Sequence, residues 1–189
     1  NTVIIYSADH GEMLGDHYLW RKSVPYEGSA HIPFLIQTPP AFGFPRGQVL
    51  DHPVSLEDIM PTVLELTGTP VPATVDGQSL VPLLAGDTPT SWREFVHIER
   101  APMHHTLTDG REKFIWFAGD GREQFFRLTD DPRECHNLIN DPAETNCITI
   151  WRRRLIEVLE DRPEGFSDGE KLIPGCDYPA DGRHYHRKG

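Results

Sequence analysis

The chain opens on a short run of β-branched and aromatic residues that ends beside two side chains able to bind a cation. The run is Val3–Tyr6, and Asp9 and His10 follow it directly. Such a run is typical of a buried parallel strand. Ligands and metals in open α/β sheets lie at the carboxyl ends of the strands. With Lys22 a short distance along the chain, the segment indicates a site for a hard cation and an anionic ester.

The tripeptide Asp9–Gly11 also has a purely structural interpretation. An aspartate at the end of a strand can cap the next segment, and Gly11 can supply a positive φ in a turn. The tripeptide alone favours this structural interpretation, and the wider pattern of motifs reverses the preference.

A series of motifs follows in a fixed order along the chain. They are Asp9–Gly11, Leu14–His17, Trp20–Lys22, Tyr26–Gly28, His31–Ile36, Asp58–Thr62, Asp76–Leu80, Thr108–Phe114, Arg127–Pro132, Glu134 and Asn137–Leu138. In this order, over roughly residues 1–165, the chain resembles the sulfatases of the alkaline phosphatase superfamily. The resemblance implies an α/β fold, in which the chain is part of the alkaline-phosphatase-like sandwich with a C-terminal antiparallel sheet plus helix subdomain.

Patterning divides the chain into three expected parts. Residues 1–90 would be the C-terminal part of the sulfatase α/β core, residues 91–165 a small antiparallel-sheet-plus-helix subdomain, and residues 166–189 a C-terminal extension. The predicted strands are 3–7, 32–37, 95–99, 113–118 and 124–128, and the predicted helices run from Asp58 to Gly68 and from Asp141 to Pro163. Asp141, Pro142 and Glu144 predict a capping box at the start of the last helix.

Composition argues against two classes of partner. The formal net charge is −11 at pH 7, and no basic stripe is present to neutralise the phosphates of a nucleic acid. No apolar stretch approaches membrane-spanning length. The three cysteines, Cys135, Cys147 and Cys176, match no zinc or redox spacing. Their odd number leaves one disulfide open, so the redox compartment and the localisation stay open.

The resemblance implies roles for three residues near the start of the chain. Asp9 and His10 would bind the metal, which in this family is usually Ca²⁺. An imidazole ligand also suits Mn²⁺ or another divalent cation. Lys22 would bind the sulfate and stabilise negative charge on the departing oxygen.

Other histidines are candidates for substrate contact. His17 lies on the same loop and either contacts substrate or makes a loop-stabilising hydrogen bond. His104 and His105 precede a predicted strand, where loops of the small subdomain could overhang the pocket and shape specificity. His31 and the tail histidines His184 and His186 are expected to be structural or exposed.

The nucleophile that the resemblance implies does not occur in these residues. Sulfatases use a formylglycine made from the first residue of a Cys/Ser-x-Pro-x-Arg motif, and no cysteine or serine here begins one. We therefore expect the formylglycine, and further metal-binding carboxylates, in an upstream N-terminal part of the same enzyme. On this interpretation the chain alone is inactive.

Three functions remain open at this stage. The preferred one is metal-dependent hydrolysis of the sulfate ester of a small molecule or sugar, with formylglycine as nucleophile. A phosphonate or phosphodiester hydrolase of the same superfamily would share the metal geometry. The third is a non-catalytic C-terminal fragment. Sugar, aryl and steroid sulfates are not distinguished, because specificity depends on variable loops around a shared anion site.

Overall fold

The computed structural model describes residues 1–87, 91–100 and 102–175. The elements are β1 (Ile4–Ser7), α1 (Glu27–Ala30), β2 (Phe34–Gln37), α2 (Ile59–Leu66), α3 (Val81–Ala85), β3 (Val96–Arg100), β4 (His104–Thr108), β5 (Glu112–Phe117), β6 (Glu123–Arg127) and α4 (Thr145–Leu159). The chain divides into two compact units. The first comprises residues 1–9 and 32–96, and the second comprises residues 10–31 and those from 97 onward. The predicted division at residues 90 and 165 stays a prediction.

The first unit contains a two-stranded sheet whose strands lie where the sequence predicts them. They pair antiparallel, with Ile4 opposite Gln37 and Ser7 opposite Phe34. The interpretation of β1 as a buried parallel strand is therefore wrong for the described residues. Side chains alternate across a strand, and Ile4 and Tyr6 are 54% and 63% exposed. Among the described residues, one face of this sheet is therefore packed and the other is exposed.

A buried carboxylate holds the rest of the first unit together. Asp58 is fully buried and accepts a bidentate pair from Arg93 at 2.6 and 2.8 Å. It also accepts from the backbone N–H groups of Ser55 and Gln78, both at 2.8 Å. Gly77 is required beside it, because a Cβ there would lie 2.0 Å from the carbonyl oxygen of Glu57. Two of the sequence motifs, Asp58–Thr62 and Asp76–Leu80, are therefore joined by structural hydrogen bonds.

The second unit is built on a four-stranded sheet in the order β3-β4-β5-β6. Strands β4, β5 and β6 are consecutive antiparallel neighbours. Their turns contain Gly110 and Gly121, which have positive φ angles of 85° and 75°, as the Asp-Gly pairs predict. Strands β3, β5 and β6 match the sequence prediction within one residue at each end. Strand β4 was not predicted, since the sequence analysis placed its first histidines before a strand.

Helix α4 packs on this sheet through Trp151, Leu155 and Leu159, which are all buried. The helical segment begins after Asp141, whose Oδ1 accepts from the N–H of Ala143 at 2.9 Å. The predicted capping box is wrong, because Glu144 accepts two hydrogen bonds from Arg127, both at 2.7 Å. A bidentate guanidinium pair is stronger than one bond to a backbone amide, and it draws Glu144 towards β6.

The structure also bears on membrane-spanning segments and on the cysteines. Among the described residues, no helix combines the length and apolar character needed to cross a bilayer. Cys135 and Cys147 carry free thiols. Cys176, His184 and His186 lie outside the described residues.

Candidate active-site loop

Residues 10–31, which we call the active-site loop, bring two of the predicted site residues together. Nζ of Lys22 lies 2.5 Å from Nε2 of His10. The other ring nitrogen of His10, Nδ1, lies 2.7 Å from the carbonyl oxygen of Gly11. A carbonyl can only accept, so Nδ1 carries the proton and Nε2 presents its lone pair to the Lys22 ammonium. The tautomer of His10 is thereby fixed.

This tautomer is the one that a metal-binding histidine needs. Histidine ligands commonly donate one ring N–H to a backbone carbonyl and bind the ion through the other nitrogen. Asp9, the preceding residue, has an exposed carboxylate that follows β1. One carboxylate oxygen and Nε2 of His10 are donors that fit a divalent cation. Because Lys22 already donates to Nε2, a cation and the Lys22 ammonium compete for the same lone pair.

The glycine of the Asp-His-Gly motif is required for a close backbone approach. The N–H of Gly11 donates to the carbonyl of Ser29 at 2.8 Å. A Cβ at Gly11 would lie 2.2 Å from the carbonyl oxygen of Gly28. Gly11 is not among the residues with positive φ, so the structural interpretation of this glycine as a turn residue fails. The motif instead lets the two ends of the active-site loop touch.

The loop stores backbone strain between its two ends. Non-glycine residues with positive φ are uncommon, and the loop contains Leu14, His17, Tyr18, Arg21 and Ser23, with φ from 51° to 77°. Each such conformation costs on the order of 1–3 kcal/mol and persists only where the surroundings fix it. Backbone hydrogen bonds do so here, including Met13 N–H to Arg21 O at 2.9 Å. Strain of this kind concentrates at functional sites, and here it surrounds Lys22.

His17 is held by a hydrogen bond at one ring nitrogen and by stacking on one face of its ring. Its Nε2 lies 2.9 Å from the carbonyl oxygen of Arg133. The ring stacks on Tyr26, with 4.2 Å between centroids and 7° between planes. His17 thus makes the loop-stabilising bond that is one of its two predicted roles, and its contact with substrate stays a prediction.

A buried lysine, which the sequence analysis includes in a motif without a role, anchors the far end of the loop. Lys113 of β5 is fully buried and contacts Glu27 Oε1 at 2.6 Å, Glu134 Oε1 at 2.8 Å and the carbonyl oxygen of Pro25 at 3.1 Å. Glu134 in turn accepts from the backbone N–H of Glu27 at 2.6 Å. The partners are distant in sequence, so no local pattern joins them.

The two carboxyl groups around Lys113 titrate in opposite directions. Burial opposes ionisation of Glu27, but hydrogen bonds and charge from His31 and Lys113 outweigh it and lower the pKa to about 2. Burial raises the pKa of Glu134, despite the opposing charge of Lys113. His31, expected to be structural, lies 2.7 Å from Glu27, and this hydrogen bond raises the pKa of the imidazole. The loop is therefore fixed by a charged network at its base.

His104 and His105 lie inside β4, where they are 5% and 0% exposed. The ring of His105 is packed by Trp116 and Phe166, with centroid distances of 5.9 and 5.0 Å. Their contact with substrate stays a prediction.

Comparison with known proteins identifies the family of the chain. A family model described as "N-sulphoglucosamine sulphohydrolase, C-terminal" matches residues 15–161. An arylsulfatase from Clostridium perfringens is 40% identical over an alignment 184 residues long that covers 95% of this chain and 38% of the relative. The chain thus spans well under half of the length of this relative.

Solved structures share the fold. The structure of BT4656 in complex with its substrate D-glucosamine-2-N,6-O-disulfate superposes with a TM-score of 0.70 and 25% identity, covering 90% of this chain and 36% of that one. The phosphonate monoester hydrolase from Silicibacter pomeroyi gives 0.72 and 28%, covering 94% and 39%. With its α/β fold and its match to the family model over most of its length, the chain belongs to the sulfatase family of the alkaline phosphatase superfamily.

Proposed function

We propose that this chain is part of an enzyme that hydrolyses sulfate esters. The observation that carries the proposal is the contact between Lys22 Nζ and His10 Nε2, on a strained loop that directly follows Asp9. It puts an ammonium next to a histidine whose tautomer suits metal binding. An anionic ester bound at a metal ion held by His10 would lie within reach of Lys22.

Lys22 would stabilise negative charge on the substrate. Cleavage of a sulfate ester leaves negative charge on the departing oxygen, and a positioned ammonium stabilises that charge as it develops. The active-site loop would hold Lys22 in place without reorganisation, because hydrogen bonds and the Lys113 network fix both of its ends. A lysine is suited to this role as a compact point charge.

Asp9 and His10 would hold the divalent cation of the family, through a carboxylate oxygen and Nε2. Such an ion would neutralise charge on the sulfate oxygens and activate the nucleophile. Ca²⁺ is the proposed occupant, with Mn²⁺ as the alternative because one ligand is an imidazole. The nucleophile, a formylglycine, would come from outside these 189 residues, since they contain no Cys/Ser-x-Pro-x-Arg motif.

The proposed substrate is a sulfated sugar or a small sulfated molecule. The solved complex of a related protein with D-glucosamine-2-N,6-O-disulfate supports a sulfated sugar. The second candidate function is phosphonate monoester hydrolysis, which the similarity to the Silicibacter pomeroyi hydrolase supports. Both reactions would use the same anion site.

Turnover of matched esters distinguishes the two functions. The full-length enzyme should be assayed with an aryl sulfate and an aryl phosphonate monoester that have the same leaving group, and also with a sulfated glucosamine. We expect the higher kcat/KM for a sulfate ester. A higher value for the phosphonate would establish the second function, and no turnover of any of the three would contradict both.

A further inference from the structure

Outside the active-site loop, three metal-binding side chains of the second unit converge on one point. They are His97 and Glu99 of β3 and His105 of β4, which we call the His-Glu-His triad. His97 and Glu99 are two residues apart on one strand, so their side chains lie on the same face of the sheet. Strand β4 is the hydrogen-bonded neighbour of β3, and it brings His105 to them.

The separations of the three ligand atoms match a metal ion of zinc's size. Nε2 of His97 lies 3.2 Å from Nδ1 of His105 and 4.0 Å from Oε2 of Glu99, and the remaining side of the triangle is 3.5 Å. In the plane of three atoms at these separations, the equidistant point lies about 2.1 Å from each. Zinc binds imidazole nitrogen at about 2.0–2.1 Å and carboxylate oxygen at about 2.0–2.2 Å. The three ligand atoms are therefore at separations that a zinc ion can bridge.

Groups around the triad hold its members in place. Arg162 donates to both oxygens of Glu99, at 2.5 and 3.3 Å, and its own charge is compensated by Glu164 at 2.6 Å. The ring of His105 is fixed between Trp116 and Phe166. Outer partners of this kind orient ligands and are part of a functioning metal site. The triad is therefore a preorganised set of ligands.

We propose that the triad binds a zinc ion through Nε2 of His97, one carboxylate oxygen of Glu99 and Nδ1 of His105, with water as the fourth ligand. Two imidazoles and one carboxylate are a ligand set known for zinc, whereas Ca²⁺ selects oxygen donors. Solvent reaches the ion from the side of His97 and Glu99, whose side chains are 19% and 37% exposed. The ion ties β3 to β4, and it is separate from the metal proposed at Asp9 and His10.

Zinc titration of the full-length protein tests the proposal. Asp9 and His10 are first replaced by alanine, so that the other proposed metal cannot contribute. After treatment with a chelator, we expect this parent protein to bind one equivalent of Zn²⁺, measured by elemental analysis. Co²⁺ in place of Zn²⁺ should give the intense visible absorption of a four-coordinate ion. A tenfold excess of Ca²⁺ should displace neither.

Two histidine variants of the parent decide whether the triad is the site. His97→Gln should lower zinc affinity by more than about 100-fold, because loss of a ligand exceeds the cost of losing an outer partner. His136→Gln is the matched control, since His136 is an exposed histidine of the same unit beside the free thiol of Cys135. It should leave the zinc stoichiometry unchanged.

Circular dichroism and thermal unfolding distinguish the loss of a zinc ligand from a folding defect in the variant. With chelator present, the parent and His97→Gln should have similar circular dichroism spectra, and added zinc should raise the Tm of the parent alone. Less than half an equivalent of zinc in the parent would overturn the proposal. So would equal zinc binding by the parent and His97→Gln, or loss of zinc in His136→Gln.

Discussion

The ammonium of Lys113 lies 2.6 Å from Oε1 of Glu27, and this contact fastens the active-site loop to the central strand β5. Lys113 is fully buried, and its second carboxylate partner is Glu134 at 2.8 Å. A buried charge is tolerated only where it is paired and hydrogen-bonded. Lys113 therefore contributes to the site without touching its chemistry, by fixing the segment that follows Lys22.

Removal of this ammonium should be strongly destabilising. In Lys113→Met the unbranched apolar stem is largely kept, but Glu27 and Glu134 are left as adjacent carboxyl groups without their cation. Breaking a buried ion pair on one side costs about 3–5 kcal/mol. We expect a loss of this size in the free energy of unfolding, measured by urea denaturation. Lys171→Met, at an exposed lysine, should change it by less than about 0.5 kcal/mol.

How much of this arrangement the sequence predicts depends on how local each contact is. Strands β3, β5 and β6 and helix α4 follow from alternation, Asp-Gly turns and an apolar stripe, which are all signals within a short window. The Lys113 network has no such signal, because its members are brought together only by the fold. The resemblance included Lys113 and Glu134 among its motifs and gave them no role.

Strand β4 was missed for a related reason. His104–Thr108 contains two histidines and two threonines, a composition that does not indicate burial, and yet every one of these residues is buried. The rings of Trp116 and Phe166 pack on one of them, His105. Similarly, Val63 of α2 is 41% exposed, whereas Pro61 and Thr62 are buried. The hydroxyl of Thr62 accepts from the N–H of Leu80, a contact that helical periodicity cannot reveal.

The Gly11 contact predicts an effect of a single methyl group. In Gly11→Ala the new Cβ would lie 2.2 Å from the carbonyl oxygen of Gly28, so the backbone of the loop must shift. Overpacking of this kind costs about 1–3 kcal/mol. We expect a lower Tm and a lower kcat in the full-length enzyme. Gly119→Ala is the control, because no atom lies within 4 Å of its added Cβ. Equal behaviour of the two variants would show that the loop ends do not need this approach.

His104 predicts a pH dependence of stability. Burial lowers its pKa to about 4 from an ordinary value of 6.5, so the unfolded state binds a proton between these values that the native state does not. Stability from this group is therefore complete above pH 6.5 and is lost as the pH falls towards 4. A shift of this size corresponds to about 3 kcal/mol.

The variant His104→Leu isolates this contribution. Urea unfolding at pH 7, 6, 5 and 4 should show a shallower loss of stability in the variant than in the wild type. His97, whose pKa is also lowered, keeps its own slope in both proteins and cancels in the comparison. Parallel curves for wild type and His104→Leu would contradict the argument.

If Asp9 is a metal ligand, its removal should abolish metal binding and activity together. In the full-length enzyme, Asp9→Ala should lose bound Ca²⁺ or Mn²⁺ and sulfatase activity together, because a carboxylate ligand both holds the ion and sets the charge of its site. Elemental analysis and turnover of an aryl sulfate are the two measurements. Asp51→Ala removes an exposed carboxylate of the same unit and should alter neither. Full metal content and full activity in Asp9→Ala would leave Asp9 as a residue that only ends the strand.

Lys22 predicts a catalytic loss without a structural one. The side chain is exposed, so Lys22→Ala should change the free energy of unfolding by less than about 0.5 kcal/mol. Loss of one positioned donor to a developing negative charge costs about 10²–10³ in kcat. We expect a fall of this size for a sulfate ester in the full-length enzyme, with Tm unchanged. Lys171→Ala, at another exposed lysine, should keep both values. If Lys22→Ala instead lowers Tm sharply, or turns over substrate at the wild-type rate, Lys22 serves the loop and not the reaction.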